Sequence, residues 1–199
     1  MGEGASSPSW AYEACLESGK TSPEDLLEDL MADSRCAAFG VVHHFLVGAS
    51  LLTCLRNAQG RAEEGRLEAD LAELGLRSAA VPGAACAKWG VCGAAASAGM
   101  AYAIAAGNEP LKAAGWSEGQ LMVADIGRAV ALAGAPRCCK RDARIAVETA
   151  AKAFARDFEV DFSAPVSARR CRVAERNAVC LEGACPFHGA GAEMEGEGR

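Results

Sequence analysis

The sequence predicts a mainly α-helical protein, a compact multi-helix domain with a cysteine-rich, loop-like C-terminal segment and at most one or two short strands. Hydrophobic residues make up 51% of the chain, which is enough for a core, and aromatic residues only 6%. Much of the apolar content is alanine, and such small side chains favour closely packed helices over a sheet of β-branched residues. Several segments also place apolar residues three and four positions apart, as one face of a helix requires.

The predicted helices follow from local signals along the chain. Ser22 can cap a helix, Pro23 fits its first turn, and the acidic residues that follow suit the positive helix end. The sequence at 117–120 resembles a capping box, and the glycine and proline within 134–136 separate two helices. We expect helices to begin at Ser22 and near Cys92 and to span about 43–57, 62–74, 117–133 and 137–157, followed by a short strand over 159–162.

The two ends of the chain differ from its middle. Residues 1–8 and 189–199 are polar or small and lack a large apolar anchor, so we expect them to be disordered around a single domain over 9–188. The N-terminal stretch has no signal-peptide pattern, and no apolar run reaches the roughly 18 to 20 residues of a membrane span. These features predict a cytoplasmic protein that does not bind membranes.

Charge and cysteine content narrow the function classes. The formal net charge is −6, which argues against a general nucleic-acid binder because such proteins carry a basic patch. The chain has ten cysteines. Without a secretion signal, clustered cysteines more often bind metal or perform redox chemistry than form disulfides.

The first candidate site is the pair Cys86 and Cys92, in a glycine-containing loop that leads into a helix. A helix N-terminus stabilises a thiolate, and glycines leave backbone amides accessible, so the pattern suits a metal or a reactive thiol. The alternative is that both are small packing residues in an alanine-rich core.

The second candidate site is the run Arg137, Cys138, Cys139, Lys140 and Arg141 at the start of another helix. Positive charge and the helix dipole favour thiolates here, and Arg137 or Arg141 would bind an anionic group of a substrate. Adjacent side chains diverge by about 100° on a helix, so one thiol can be a ligand and the other free. The alternative is a solvated basic first turn.

The third candidate site is the set Cys171, Cys180, Cys185 and His188. Three thiolates and an imidazole suit zinc, and three thiolates alone suit a four-iron cluster with one open iron. The spacing matches neither a standard zinc finger nor a ferredoxin, so a covering tail with incidental cysteines is the alternative.

Two histidines and three further cysteines complete the inventory. His43 and His44 begin a helix and face different directions, so one of them can point into a site as a metal ligand or catalytic group. Cys15, Cys36 and Cys54 stand among apolar neighbours and are predicted to be core residues.

Together these residues resemble a family. The segments VPGAACAKWGVCGAAASAGMAYAI over 81–104 and GAPRCCKRDARIAVETA over 134–150, with the terminal CPFH over 185–188, are similar to a cysteine-rich family of unknown function. It is domain of unknown function 5714, common in anaerobic bacteria and archaea, and the resemblance covers about 26–188. It implies recurring positions at His43, His44, Cys86, Cys92, Arg137, Cys138, Cys139, Lys140, Arg141, Asp142, Cys180 and Cys185.

The resemblance also implies which proteins this one works with, and the sequence departs from the family pattern at one motif. Relatives can adjoin a methyltransferase domain or neighbour radical-SAM proteins, which implies such partners and anaerobic sulfur, metal or methyl chemistry. Relatives tend to carry His-Gly-Pro-x-His-His, whereas this chain has Phe39 and Val41 where the pattern has its first histidine and its proline. A third imidazole is therefore absent.

The leading hypothesis is an iron–sulfur or other metal- and thiolate-dependent protein of anaerobic sulfur, metal or redox metabolism, with an enzymatic role on a small anionic substrate. Its predicted cofactor ligands are Cys86, Cys92 and Cys139, and its predicted catalytic residues are Cys138, Cys139, Arg137, Arg141 and His44. Predicted metal ligands are Cys86, Cys92, Cys138, Cys139, Cys171, Cys180, Cys185, His43 and His188. The alternatives are a zinc-stabilised binding module without catalysis and a metal-free dithiol redox protein.

Overall fold

Eight α-helices and two short 3-10 helices make up the secondary structure of the computed structural model, which describes residues 8–61, 63–166 and 169–189. No strand occurs in these described ranges. The α-helices are α1 (Ser9–Glu17), α2 (Pro23–Ala32), α3 (Val42–Ala58), α4 (Arg66–Ala79), α5 (Ala85–Lys88), α6 (Gly93–Ala106), α7 (Trp116–Leu132) and α8 (Cys139–Asp157). The 3-10 helices are Ala174–Arg176 and Glu182–Ala184. The predicted mainly α fold is confirmed.

The starts of the helices show where local sequence signals suffice. Ser22 caps α2 as predicted, and its hydroxyl accepts a hydrogen bond from the Asp25 amide. Helix α4 begins after Gly65 (φ 74°), later than predicted, and α7 begins after Gly115 (φ 82°). The predicted capping box at 117–120 is therefore wrong: the left-handed glycine turns the chain into the helix, and Ser117 lies inside its first turn.

The strand predicted over 159–162 is also wrong. Glu159 has a φ of 52°, and the Val160 amide donates to the Ala155 carbonyl, so this segment closes the end of α8. Further along the chain, the Ser163 amide donates to the Thr21 carbonyl at 3.2 Å. One such hydrogen bond joins two loops without forming a β-ladder.

Helix α3 is the central element of the core. Its residues from Phe45 to Leu55 are all buried, and it packs against α2, α4, α6 and α8. A helix that is apolar all round is stable only when neighbours cover every face. Gly48 allows a close approach of α4 and α6, because a Cβ atom there would lie 2.8 Å from both Leu74 of α4 and Ser97 of α6.

Helices α6, α7 and α8 form the other side of the core. Small residues such as Ala98 and Ala101 let α6 pack closely, and Tyr102 contacts the rings of Phe154 and Phe158. The Tyr102 hydroxyl donates to the Asp157 carboxylate at 3.0 Å, which ties α6 to the end of α8. No helix in the described ranges is both long enough and apolar enough to cross a bilayer.

The segment 169–189 folds back over the start of α8. The Cys171 amide donates to the Phe187 carbonyl at 2.8 Å, and the Phe187 ring is buried with the Arg144 guanidinium 5.3 Å from its centre. Arg144 in turn forms a bidentate ion pair with Glu28 of α2. The predicted disorder over 1–8 and 189–199 falls, apart from Pro8 and Gly189, outside the described residues.

Candidate functional site

The starts of three helices line one open cleft with a volume of about 600 Å³. His44 comes from the first turn of α3, Cys92 and Gly93 from the start of α6, and Cys139 from the start of α8. Unpaired backbone amides and the helix dipole make each of these ends electropositive. The cleft therefore suits thiolates and anionic groups, and it brings together three of the sequence motifs.

The loop between α4 and α6 supplies two of the cleft thiols. Cys86 lies in the short helix α5, which Ala84 introduces from the left-handed region (φ 62°). Cys92 ends the loop as the N-cap residue of α6. Both side chains are half-buried, and Cys86 lies close enough to raise the pKa of Cys92.

Opposing influences act on Cys92. Burial raises the pKa of its thiol, whereas the amides of Ala95 and Ala94 at the helix start lower the pKa, although neither makes a full capping hydrogen bond. If a soft metal ion or an electrophile replaces the proton of the Cys92 thiol, the sulfur no longer carries an uncompensated negative charge, so the cost of burying a thiolate is removed. The position thus favours a thiol that ionises on binding.

His44 packs directly on the backbone of α6. A Cβ atom on Gly93 would lie 2.2 to 2.6 Å from three atoms of the imidazole ring, so only glycine allows this contact. Burial and the nearby Arg137 guanidinium lower the pKa of His44. The ring is consequently neutral near pH 7 and retains a nitrogen lone pair for a proton or a metal.

The start of α8 supplies the facing thiols. Cys138 is the N-cap residue and Cys139 the first helical residue, and both line the cleft. The exposed Arg137 guanidinium donates from Nη1 to Cys139 Sγ at 3.2 Å. Burial raises the pKa of Cys139 and Arg137 lowers it, while Cys138 and Cys92 raise it further, so Cys92 and Cys139 are electrostatic neighbours.

Arg141 has a different environment from Arg137. Its guanidinium is buried and donates to the carbonyls of Gly134 and Pro136 and to the carboxylate of Asp142. These bonds hold the loop before α8 in place. Burial raises the pKa of Asp142, which lines the cleft, and Arg141 opposes that rise. Arg141 thus has several internal partners, whereas Arg137 faces the cleft.

The terminal cysteines line a second, narrow cavity of about 20 Å³, which adjoins the cleft. Cys171, Cys180, Cys185 and His188 all border it, and Cys138 borders both spaces. This volume is about the minimum for one bound water. The Glu182 amide donates to Cys180 Sγ at 3.4 Å, which fixes that sulfur in the tail.

His43 points away from the cleft. It is fully buried, with Nδ1 2.9 Å from the Gly40 carbonyl and Nε2 3.8 Å from Cys36 Sγ. Cys36 is half-buried at the edge of the core, whereas Cys15 and Cys54 are fully buried as predicted. The two adjacent histidines therefore serve different surroundings.

The thiols of the site are unlinked. All ten cysteines are free, and no three His, Cys, Asp or Glu side chains of the described residues converge as a ligand set for a metal ion. Binding a metal in the cleft would thus require side-chain rotation of the half-buried cysteines that line it.

Comparison with known proteins identifies the family. A family model described as a family of unknown function, DUF5714, matches residues 11–188. The chain belongs to DUF5714. No curated protein and no solved structure matches the chain. The region that matches the DUF5714 model contains every cysteine and histidine of the chain, since Cys15 and His188 are the outermost of them.

Sequence patterns alone missed part of the cleft of this DUF5714 member. Asn177 and Val179 of the tail and Phe39 before α3 line both cavities. The cysteines around 177–179 indicate that this segment belongs to a site. They do not indicate that it lies beside the loop of Phe39, some 140 residues earlier in the chain. The contact of Cys36 with His43, seven residues apart, was also missed because Cys36 has apolar sequence neighbours.

Proposed function

We propose that this DUF5714 protein is a metal- and thiolate-dependent protein whose cleft holds an iron–sulfur cluster and acts on a small anionic substrate. The ligands would be Cys86, Cys92 and Cys139, which come from two distant loops. The observation that supports this most is that Cys92 and Cys139, at two helix starts, are electrostatic neighbours in one open cleft. Three thiolates leave one iron of a four-iron cluster open for substrate.

The electrostatics of the cleft support a thiolate ligand set. Three helix N-termini and the Arg137 guanidinium face an otherwise partly buried group of sulfurs. Each of these contributions favours the charged thiolate over the thiol. A metal that replaces the thiol protons would remove the burial penalty that raises the pKa values of Cys92 and Cys139.

Arg137 is the proposed binding residue for the anionic group of the substrate. It is exposed at the mouth of the cleft, and its guanidinium has donors in addition to the one that contacts Cys139. Arginine binds carboxylate and phosphate groups through paired hydrogen bonds. His44, neutral and adjacent to Gly93, is the proposed proton donor or acceptor for a bound substrate.

Anaerobic purification tests the cluster proposal. Iron, acid-labile sulfide and visible absorption are measured together on the full chain, before and after reconstitution with iron and sulfide. We expect stoichiometric iron and sulfide with a broad visible band, and loss of both in Cys92→Ala and Cys139→Ala. The matched control Cys54→Ala removes a thiol from the core and should retain both, since Cys54 lies outside the cleft. A colourless chain that takes up no iron would refute the proposal.

The narrow cavity supports a second candidate function, a zinc-stabilised module. Cys171, Cys180, Cys185 and His188 all border a space near the size of one ion or water. Stoichiometric zinc, with unfolding on chelation and loss of zinc in Cys185→Ala but not in Cys92→Ala, would favour it. A methyltransferase or radical-SAM partner stays a prediction that co-purification under anaerobic conditions would examine.

A further inference from the structure

A second group of reactive side chains lies outside the cleft, on the other face of the loop before α3. Cys36 Sγ is 3.8 Å from His43 Nε2 and 4.0 Å from Lys140 Nζ. The three residues come from the loop between α2 and α3, from α3 and from α8. None of the three lines the cleft.

The hydrogen bonds of His43 determine which ring nitrogen is unprotonated, and this is the nitrogen that faces the Cys36 thiol. Nδ1 lies 2.9 Å from the Gly40 carbonyl, and a carbonyl oxygen only accepts, so Nδ1 carries the proton. In the neutral ring, Nε2 then has a free lone pair, and Nε2 is the atom that faces Cys36. A base oriented by a third group and placed beside a nucleophile is the arrangement of a catalytic triad.

Lys140 adds a buried positive charge to the same point. Only 5% of the residue is exposed, and within the described ranges it forms no ion pair with a carboxylate. Its ammonium reaches the Met31 carbonyl at 3.5 Å and Cys36 Sγ at 4.0 Å. Glu28, the acidic side chain nearby, is held by Arg144. Burial raises the pKa of the Cys36 thiol, and the charge of Lys140 opposes that rise, because a buried cation favours negative charge on the sulfur beside it.

We propose that Cys36 is a nucleophilic thiol that undergoes exchange with small disulfides, with His43 as its base and Lys140 as the cation that stabilises the developing thiolate. In this step Cys36 Sγ attacks one sulfur of the disulfide while its proton moves to His43 Nε2. The sulfur–sulfur bond of the disulfide breaks as the new one forms. The leaving thiolate takes the proton from His43, so the products are a mixed disulfide at Cys36 and one free thiol.

The chemistry of the site favours a disulfide over an acyl substrate. Attack on a disulfide passes its negative charge along three sulfurs in line and needs a thiol that can lose its proton, which a base and a nearby cation assist. Acyl transfer also needs donors aimed at a developing oxyanion. In the described part of the chain, the hydrogen-bonding contacts of Cys36 Sγ are with the ring nitrogen of His43, the ammonium of Lys140 and the Ala37 carbonyl, of which two accept and one donates.

The test compares two thiols in the same wild-type molecule. The full chain is incubated with glutathione disulfide, quenched by acid and digested, and mass spectrometry follows the mixed disulfides at Cys36 and Cys180. Both side chains are half-buried, but the contact described for Cys180 is with a backbone amide. We expect Cys36 to react at least about tenfold faster, within the range that a positioned base provides. Equal rates at the two positions would overturn the proposal.

Variants then separate the roles of the neighbours. His43→Gln retains a polar side chain but no base and should slow the reaction of Cys36 by about tenfold or more. Lys140→Met should slow it as well, and Lys140→Arg should restore most of the rate because it keeps the charge. An unchanged Cys36 rate in His43→Gln would refute the base. The wild-type comparison decides the proposal even where a variant folds poorly, and it is independent of whether the cleft binds a cluster.

Discussion

Gly93 is the residue on which the position of His44 depends. The imidazole ring occupies the space that any side chain at 93 would need, with ring atoms 2.2 to 2.6 Å from an ideal Cβ position. The rigid ring cannot yield as the end of a flexible chain would. A glycine at the first position of α6 is thus required by packing and not by its backbone angles.

Gly93→Ala should destabilise the protein and displace His44 from the cleft. Overpacking of this kind costs roughly 1 to 3 kcal/mol, measured by urea denaturation, and the ring resonances of His44 should shift in NMR spectra. Gly127→Ala is the matched control, because nothing lies within 4 Å of a Cβ there and the position is inside α7. That change should stabilise by up to about 1 kcal/mol. A stable Gly93→Ala with unchanged His44 signals would contradict the packing.

His43 should make the stability depend on pH. Burial lowers its pKa to about 4, from an ordinary value of 6.5, so the unfolded state binds a proton before the folded state does. The stabilisation is complete above pH 6.5 and is lost as the pH falls towards 4. We expect a loss of roughly 2 kcal/mol between pH 7 and pH 5 from this residue. Urea denaturation at several pH values should show a smaller slope for His43→Gln than for wild type, and equal slopes would contradict the shift.

At the scale of elements, a buried ion pair joins α2 to α8. Arg144 is buried and donates to both oxygens of Glu28, at 2.5 and 2.8 Å. The same guanidinium donates to the Arg170 carbonyl and covers the Phe187 ring, so it also anchors the tail. Removing one partner of a buried pair leaves the other charge uncompensated.

Glu28→Gln should therefore cost about 3 kcal/mol of unfolding free energy. The control is Glu148→Gln, since Glu148 pairs with Arg169 at 2.8 Å at a largely exposed position. That change should cost less than about 1 kcal/mol. The free energies of unfolding of both variants are measured by urea denaturation at pH 7. Equal losses in the two variants would show that the buried ion pair contributes no more to stability than the exposed one.

The helices could be predicted from the sequence where side chains determine them locally. Ser22 and Pro23 specify the start of α2, and the apolar run of α3 specifies a buried helix. Helix boundaries that depend on backbone conformation were not predictable. Gly65 and Gly115 adopt left-handed backbone angles in the fold, and the presence of a glycine in the sequence does not show which conformation it adopts. Helix α1 was missed because it has no side-chain cap and is held by contacts with α3 and α4.

At the scale of the whole molecule, stability is distributed unevenly. The core surrounds α3, whereas the segment 169–189 has Phe187 as its buried hydrophobic residue within the described ranges. Regions with few buried contacts open locally at a lower free energy than the global unfolding. The tail should therefore exchange its amide hydrogens well before α3 does.

Phe187→Ala should loosen the tail without unfolding the core. The loss of the buried ring costs about 2 to 3 kcal/mol locally, so hydrogen exchange should accelerate in 169–189 and remain unchanged in α3. Val179→Ala is the control on the same segment, because Val179 is 56% exposed. Acceleration in α3 as well as in the tail would show that the two fold as one unit.

The candidate site illustrates what a sequence conveys about long-range structure. The positions of Cys92 and Cys139 at helix starts followed from the sequence, and both lie at such positions in the fold, where burial raises the pKa of each thiol. Their proximity did not follow, because it depends on how α6 and α8 pack around α3. The same packing leaves the guanidinium of Arg137 exposed and encloses that of Arg141, whereas the sequence pattern gave both the same predicted role.

The opposite directions of His43 and His44 constrain how this family can vary. These two consecutive residues lie in different places: His43 is buried beside Cys36, and His44 lines the cleft. Inserting a single amino acid in α3 directly after His44 would rotate everything before it by about 100°, so His44 would move to the present position of His43 and His43 would leave both surroundings. Relatives should therefore tolerate changes of chain length before position 36 or after the helix, but keep the count between Cys36 and His44 fixed.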